Sequence, residues 1–299
     1  MLHESPAEVL ALPIAPTIKS HYILPSDDTE FKRLNLQNQF LTREVCDGKL
    51  VYAPAELEHG DQILESGTAT GIWLLSLAKV TPPTISFTGF DIHTPLFPQE
   101  YPSNVSFLQR SVINLPDEWT ERFKIVNQRL LIGGLTEKEW RKAIQEIHRV
   151  LVPGGWVQCI EPCIPSKTDV GPNTERMFDI MRTLMTRNGL VYNIAELLGR
   201  KLSKSGFVNV QTHTVSLSAH QRTTEFSHRT LMEWFFAALK PGMIATQLLQ
   251  SEEEFDTLMQ SMLKEWDECP EVAWSWSVVY AQKRAAKDSS ATYKFCIHM

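Results

Sequence analysis

The chain has 299 residues, 43% of them hydrophobic and 21% charged, with a formal net charge of -6. That length allows one or two domains and a core that needs no disulfide or metal staple. The mild acidity excludes a broad nucleic-acid-binding face, and no apolar run reaches the roughly 18 residues of a membrane span. The opening Met1–Val9 places acids early and has no basic stretch before an apolar one, so it does not read as a secretory leader. Five cysteines stand at 46, 159, 163, 269 and 296. No second Cys or His pair completes a zinc set, and the scatter reads as reduced thiols in a cytoplasmic protein without a metal site.

In chain order, residues 1–20 are punctuated by proline and read as a loose arm. From Asp28 to Cys46 the apolar residues Phe31, Leu34, Phe40 and Leu41 fall near helical spacing. Gln62–Glu65 reads as a short strand that runs into the glycine-bearing stretch Ser66–Gly71, then an apolar helix Ile72–Val80 stopped by Pro82 and Pro83. Ile85–Asp91, Val105–Leu108 and Lys124–Gln128 read as further strands. Thr136 and Glu139 form a capping box for a helix whose stripe is Trp140, Ile144, Ile147 and Leu151. Pro153-Gly154-Gly155 is expected to stop it, and Trp156–Ile160 to be a fifth strand. Two more strands are predicted at Val208–Leu217 and Ser277–Gln282, separated by helical stretches around Met177–Leu184, Leu231–Ala238 and Phe255–Trp266. The tail from 286 to 299 is polar and expected to fray.

Strands alternating with helices predict an α/β fold: a doubly wound, mostly parallel seven-stranded sheet. The division expected is a helical arm or lid over 1–50, an α/β core over 51–165, helical lid insertions with the last strands over 166–285, and the tail. Within the core, the glycines of Ile63–Gly71 let the backbone turn sharply at a helix N-terminus. Glu65 ahead of the turn suits a ligand carrying an ammonium group. Asp91 follows Gly67 by 24 residues, at the next strand end, where a carboxylate accepts both hydroxyls of a ribose.

This order of segments resembles the class I S-adenosylmethionine (SAM)-dependent methyltransferases. More narrowly it resembles the fungal secondary-metabolism group related to the velvet-complex methyltransferase-like regulator. The resemblance rests on Tyr22–Glu30 with Arg33–Gln37, on Ile63–Trp73, on Gly89–Ile92, and on Trp140 through Arg149–Trp156; it spans about 20–165. It implies a Rossmann-like fold with the last strand inserted antiparallel. It also implies SAM as cofactor, with Glu65 and Gly67 at its methionine part, Thr68 and Gly71 in the turn, Asp91 on the ribose, and Ile92, Ser111 and Val112 around adenine. Gln128 and Arg129 would face the transferable methyl, and Glu161, just past the fifth strand, would also face the pocket; separately, a buried Arg129 needs a charge partner, for which Glu161 is the candidate. The sequence departs from the family pattern at Ala69 (usually glycine), Ser111 and Lys124 (usually Asp) and Asn38 (often His).

Methyl transfer from a sulfonium is an in-line displacement, so alignment and water exclusion matter more than a catalytic triad. His220 and His228, between the sixth strand and the next helix, are the candidate bases, and His148 is expected to be solvated. The leading reading is O-methylation of a small apolar polyketide, terpenoid or aromatic metabolite, with no nucleic-acid partner. The departures motivate a second reading, a methyltransferase-fold cyclase, isomerase or pericyclase, and the named relative a third, a non-enzymatic regulator. An apolar lid would equally suit pairing into a homodimer.

Overall fold

The computed structural model describes residues 28–220 and 227–285. The expected loose arm over 1–20, the motif residues 22–27 and the tail over 286–299 lie outside the described residues.

Seven strands form one sheet in the order β3-β2-β1-β4-β5-β7-β6. They are β1 (Gln62–Ser66), β2 (Ser86–Asp91), β3 (Val105–Gln109), β4 (Phe123–Arg129), β5 (Leu151–Cys163), β6 (Phe207–Ser218) and β7 (Ala273–Lys283). The first five are parallel, and β7 is inserted antiparallel between β5 and β6. The helices are α1 (Asp28–Phe40), α2 (Ile72–Val80), α3 (Glu137–Val150), α4 (Pro172–Arg187), α5 (Ile194–Lys204), α6 (His228–Ala245) and α7 (Glu252–Glu268).

The strand period of two divides the core. Ile63 and Ile125 turn to the face covered by Trp73, Leu74 and Leu77 of α2. Their neighbours Leu64 and Val126 turn to the opposite face, under Trp140, Ile144 and Ile147 of α3. Strand order reverses at β1, whose neighbours are β2 and β4, and the crevice beyond the carboxyl ends of β1 and β4 is where such sheets take ligands.

Several elements differ from the expectation. The capped helix ends at Val150, and Leu151 already has extended backbone and opens β5. Pro153-Gly154-Gly155 therefore lies within the strand, where the pairing with β4 is irregular. Gly155 is required there, because a Cβ would stand 3.0–3.1 Å from three backbone carbonyl oxygens. Beyond Phe40, the first helix continues as a short π-helical turn over Leu41–Val45. Helix α5 has no counterpart in the sequence reading. His148 is half-buried, edge-on to Phe207 at 4.9 Å, and burial lowers its pKa, so it is not a solvated side chain. Among the described residues no helix is long and apolar enough to cross a membrane, and no group of His, Cys, Asp and Glu is arranged to hold a metal ion.

Helix α4 begins at Gly171-Pro172 and has no capping side chain of its own. Glu265 of α7 does that work from across the interface. Its carboxylate accepts from the backbone N–H groups of Asn173 and Thr174 at 2.8 and 2.7 Å, and from both side chains at 2.7 Å. A Cβ at residue 171 would come 2.3 Å from Glu265, so glycine makes room for the clamp. Burial pushes the Glu265 pKa up, but these donors outweigh it and hold the carboxyl below its ordinary value. A depressed carboxylate stabilises the fold above its unfolded pKa, and that contribution fades as pH falls through the folded value. Glu265→Ala is expected to cost about 2 kcal/mol in urea unfolding at neutral pH, because it leaves helix donors unpaired. The gap between wild type and variant should narrow in the same titration carried to acidic pH.

Candidate functional site

The site grows from the end of β1. After Ser66 the chain turns through three left-handed residues, Gly67 (φ 67°), Ala69 (φ 46°) and Gly71 (φ 69°), before α2 begins. A Cβ on Gly67 would lie 2.7 Å from Leu131, and one on Gly71 would lie 2.5 Å from the Phe107 ring. Gly71 needs glycine for space as well as for φ, and Gly67 needs it chiefly for φ. Ala69 holds the same left-handed conformation with a side chain, at a backbone cost of about 1–2 kcal/mol. Its N–H donates to Asp91 Oδ2 at 3.0 Å, and Thr68 N–H donates to the Phe90 carbonyl at 3.0 Å. The departure at Ala69 therefore leaves the turn closed and tied to β2.

Asp91 ends β2. Its second oxygen, Oδ1, accepts from the His93 N–H at 3.0 Å. Burial raises its pKa, and these backbone donors oppose the rise. Glu65 is 3% exposed. It accepts from Thr68 Oγ1 at 2.6 Å, Asn127 Nδ2 at 3.3 Å and Arg129 Nη2 at 3.4 Å. Burial pushes its pKa up to about 7, against the pull of the Arg129 guanidinium. Arg129 also donates to Asn38 Oδ1 at 2.9 Å and lies 5.8 Å from the Trp73 ring. Its Nε is buried without a partner.

Around these groups lies a cavity of about 910 Å³. Its polar half is walled by the turn Glu65–Thr70, by Asp91 and Ile92, and by Ser111 and Val112 after β3. Thus Glu65, Gly67, Thr68, Asp91, Ile92, Ser111, Val112 and Arg129 are brought together on one wall, and Gly71 closes the turn beneath Phe107. The far half is apolar, with Phe178, Met181 and Met185 of α4, Met232 and Phe235 of α6, and Trp274 of β7.

Four expected placements are corrected. Gln128 does not reach the cavity wall: it is fully buried beneath it, and its Oε1 accepts from Ser66 Oγ at 3.1 Å. Glu161 does not pair with Arg129. It accepts from the N–H groups of Leu131 and Ile132 at 2.8 and 3.1 Å, and burial pushes its pKa up to about 8. His228 is fully buried off the cavity, stacked on Phe40 at 4.9 Å, and accepts from Trp276 Nε1 at 3.2 Å. Burial pushes it down to about 4, so it packs as a neutral ring. His220 is exposed away from the cavity, with Nε2 3.4 Å from the Cys269 carbonyl. The sequence reading missed the polar face of α1, where Arg33, Gln37 and Asn38 line the cavity. Their i, i+4, i+5 spacing, shared with Leu34 and Leu41, was the available signal.

The donor set fits SAM. Two acids, Glu65 on β1 and Asp91 at the end of the adjacent β2, flank a glycine turn, and apolar Ile92 and Val112 border the Asp91 end. A methyltransferase-domain family model matches residues 63–155. The N-methyltransferase verN of Clonostachys rogersoniana is 28% identical over 251 residues, which covers 79% of this chain and 84% of that protein. The N-methyltransferase sirN of Leptosphaeria maculans is 39% identical over 146 residues, 48% of this chain and 50% of that protein. Among solved structures, phosphoethanolamine N-methyltransferase 2 of Haemonchus contortus in complex with SAM shares the fold with a TM-score of 0.51 at 14% identity. The match covers 88% of this chain and 54% of that one, so the chain spans about half its length. The matched domain, the sheet order and the acid-flanked glycine turn together make this chain a SAM-dependent methyltransferase of the class I fold.

Proposed function

We propose that the chain methylates an uncharged nitrogen on a small, largely apolar molecule seated in the far half of the cavity. The observation that carries this reading is the wall itself. None of the residues of α4, α6 and β7 that line it is titratable, and Cys163 beside them has its thiol pushed up to about 11 by burial first and by Glu196 second. Both histidines expected to act as a base lie elsewhere. A phenol or alcohol acceptor needs a base to become nucleophilic at neutral pH. An amine does not: an apolar pocket disfavours its ammonium form and leaves the lone pair free. The O-methylation expected from the sequence lacks that support. The names of verN and sirN favour nitrogen. Their fungal source also supports the narrower grouping that the motifs suggest.

When bound, SAM supplies a methyl group activated on its sulfonium. The residues of the chain would bind, orient and exclude water around it. Asp91 keeps lone pairs on both carboxylate oxygens for ribose hydroxyls, while its two backbone donors fix its plane. Ile92 and Val112 offer apolar surface for a flat base beside Ser111. Glu65, anchored by Thr68, Asn127 and Arg129, places negative charge at the turn, where a cationic ligand is favoured. Helices α4 and α6 would close the acceptor side as a lid, which keeps water from the displacement.

Two measurements test this. Calorimetry should show micromolar SAM binding to wild type and a loss of about tenfold or more in Asp91→Ala, a ribose anchor being a charge-assisted hydrogen bond. Mass spectrometry of products from small apolar amines should show a gain of one methyl group on nitrogen. Methylation of matched phenols in preference to amines would replace this reading with the oxygen one.

Glu65 adds a pH signature. Its folded pKa is raised, so below about 7 it carries a proton that a cationic ligand must displace. SAM affinity is therefore expected to rise between about pH 6 and 8 and to level off above, with proton release detectable across buffers of different ionisation enthalpy. Glu65→Gln should flatten that dependence, and a flat wild-type profile would show that Glu65 stays ionised throughout.

A further inference from the structure

Helix α1 spans the two halves of the cavity. One edge of it is tied to the polar wall: Thr70 Oγ1 donates to Asn35 Oδ1 at 2.8 Å, and Arg129 Nη1 donates to Asn38 Oδ1 at 2.9 Å. The other edge meets the acceptor side, where Phe40 stacks at 4.9 Å on His228, the first residue of α6. At about 100° of rotation per residue, Gln37 falls between these edges, about 60° from Phe40 and about 100° from Asn38. It lines the cavity, and its place on the helix sets it where the polar wall gives way to the apolar one.

Gln37 is 6% exposed. Neither its amide oxygen nor its amide nitrogen has a hydrogen-bond partner among the described residues, and neither is sealed off by protein as Arg33 Nη1 and Arg129 Nε are. The accessible part of the side chain therefore opens into the cavity. Asn38 lines the cavity too, but its oxygen is taken by Arg129. A carboxamide offers one acceptor oxygen and two N–H donors. Leaving both ends unpaired in the interior is costly, so this group calls for a ligand with a donor and an acceptor of its own. The charge and the hydroxyls of SAM are answered on the wall of β1 and β2, by Glu65 and Asp91. The acceptor molecule is the ligand left without a polar partner. A neutral amide suits a neutral amine: a carboxylate at this place would hold the amine as its ammonium, whereas an amide leaves the lone pair free.

We propose that the Gln37 carboxamide holds the acceptor at the point of transfer, Oε1 accepting an N–H of the nitrogen that is methylated and Nε2 donating to an oxygen carried close to that nitrogen. This rests on the nitrogen reading above and deepens it, by narrowing the substrate to amines with a neighbouring oxygen. An N–H fixed on Oε1 turns the lone pair of the nitrogen toward the sulfonium methyl. As that lone pair forms the N–C bond, the electrons of the C–S bond leave on sulfur and the nitrogen becomes cationic. Oε1 then faces the positive charge as it develops, and the proton passes to water after release.

The test uses two amines, phenylalanine methyl ester and 2-phenylethylamine, with the full chain and saturating SAM. Only the first carries a carbonyl oxygen near its nitrogen. In Gln37→Leu, kcat/KM should fall about tenfold for 2-phenylethylamine, which loses Oε1, and about a hundredfold for the ester, which loses Nε2 as well. Comparing each amine with itself across the two proteins cancels their different basicity. SAM affinity, read by calorimetry, should change less than about twofold, and thermal unfolding checks the fold. A loss of SAM affinity of about tenfold would give the carboxamide to the cofactor and overturn the proposal. Unchanged kcat/KM for both amines would overturn it too, and equal losses for the two would overturn the neighbouring oxygen. Methylation of neither amine by wild type would also overturn the proposal; where matched phenols are methylated instead, the nitrogen reading has failed with it.

Discussion

A carboxylate buried at the end of the first strand is the constraint from which the site is built. Glu65 cannot stay ionised at 3% exposure unless its oxygens are occupied and a cation stands near. Thr68 supplies one bond from within the turn, Asn127 one from the neighbouring strand, and Arg129 the charge. Each partner ties a separate element to the same point. Arg129 then passes the requirement outward, because it too is buried and takes Asn38 of α1 as acceptor. The turn, β4 and the first helix are thus held in one polar chain. Removing one member of such a pair leaves an uncompensated charge and costs about 3–5 kcal/mol, whereas replacing both with apolar groups costs far less. A pair retained at this place is better explained by what it does for a charged ligand than by stability.

The polar layer beneath the pair continues the same logic. Gln158 donates to Asn127 at 2.9 Å and to the Leu50 carbonyl at 3.1 Å, and its own oxygen accepts from the Tyr52 N–H at 2.8 Å. Ser66 and Gln128 form a second such contact. These side chains lie at matching heights on β1, β4 and β5 and order the strand ends; of them Ser66 lines the cavity, and Asn127, Gln128 and Gln158 lie beneath it. Gln128 belongs to this layer. Its neighbour Arg129, one residue further and on the opposite side of the strand, is the one that reaches the wall.

That single step marks the limit of what the residues alone revealed. The strands, the turn, the capping box and the acids at positions 65 and 91 were legible because local rules set them: period two, left-handed glycines, and spacing between successive strand ends. Which of Gln128 and Arg129 faces the ligand depends on where β4 ends relative to β1. Pairing of Glu161 with Arg129 was reasonable from charge. It failed because the strained Leu130, at φ 60°, turns the N–H groups of Leu131 and Ile132 back toward Glu161, and a buried carboxylate takes such donors first. His228 was read as a loop residue because it falls between the sixth strand and the next helical stretch. It is instead the first residue of α6, capped by Ser227, and its ring is drawn into the aromatic cluster with Phe40 and Trp276. Only tertiary packing distinguishes a polar loop histidine from a neutral core one.

The two halves of the cavity are supported by different physics, and that difference bears on how substrates are chosen. The polar half is preorganised: left-handed backbone, paired acids and short hydrogen bonds permit little adjustment. The apolar half is built from helices joined by a clamp, Glu265 on the start of α4, and lined by Met181, Met185 and Met232. Methionine has no branched carbon and adjusts its rotamers at low cost, so such a wall accommodates a shape more than it dictates one. Catalysis by alignment demands that the cofactor end be rigid, since a misplacement of about 1 Å can cost a hundredfold in rate. It demands less of the acceptor's far end, which needs only to be dry and to bring one atom into line. A scaffold divided in this way can hold one cofactor closely while its acceptor range changes through a few residues of α4 and α6.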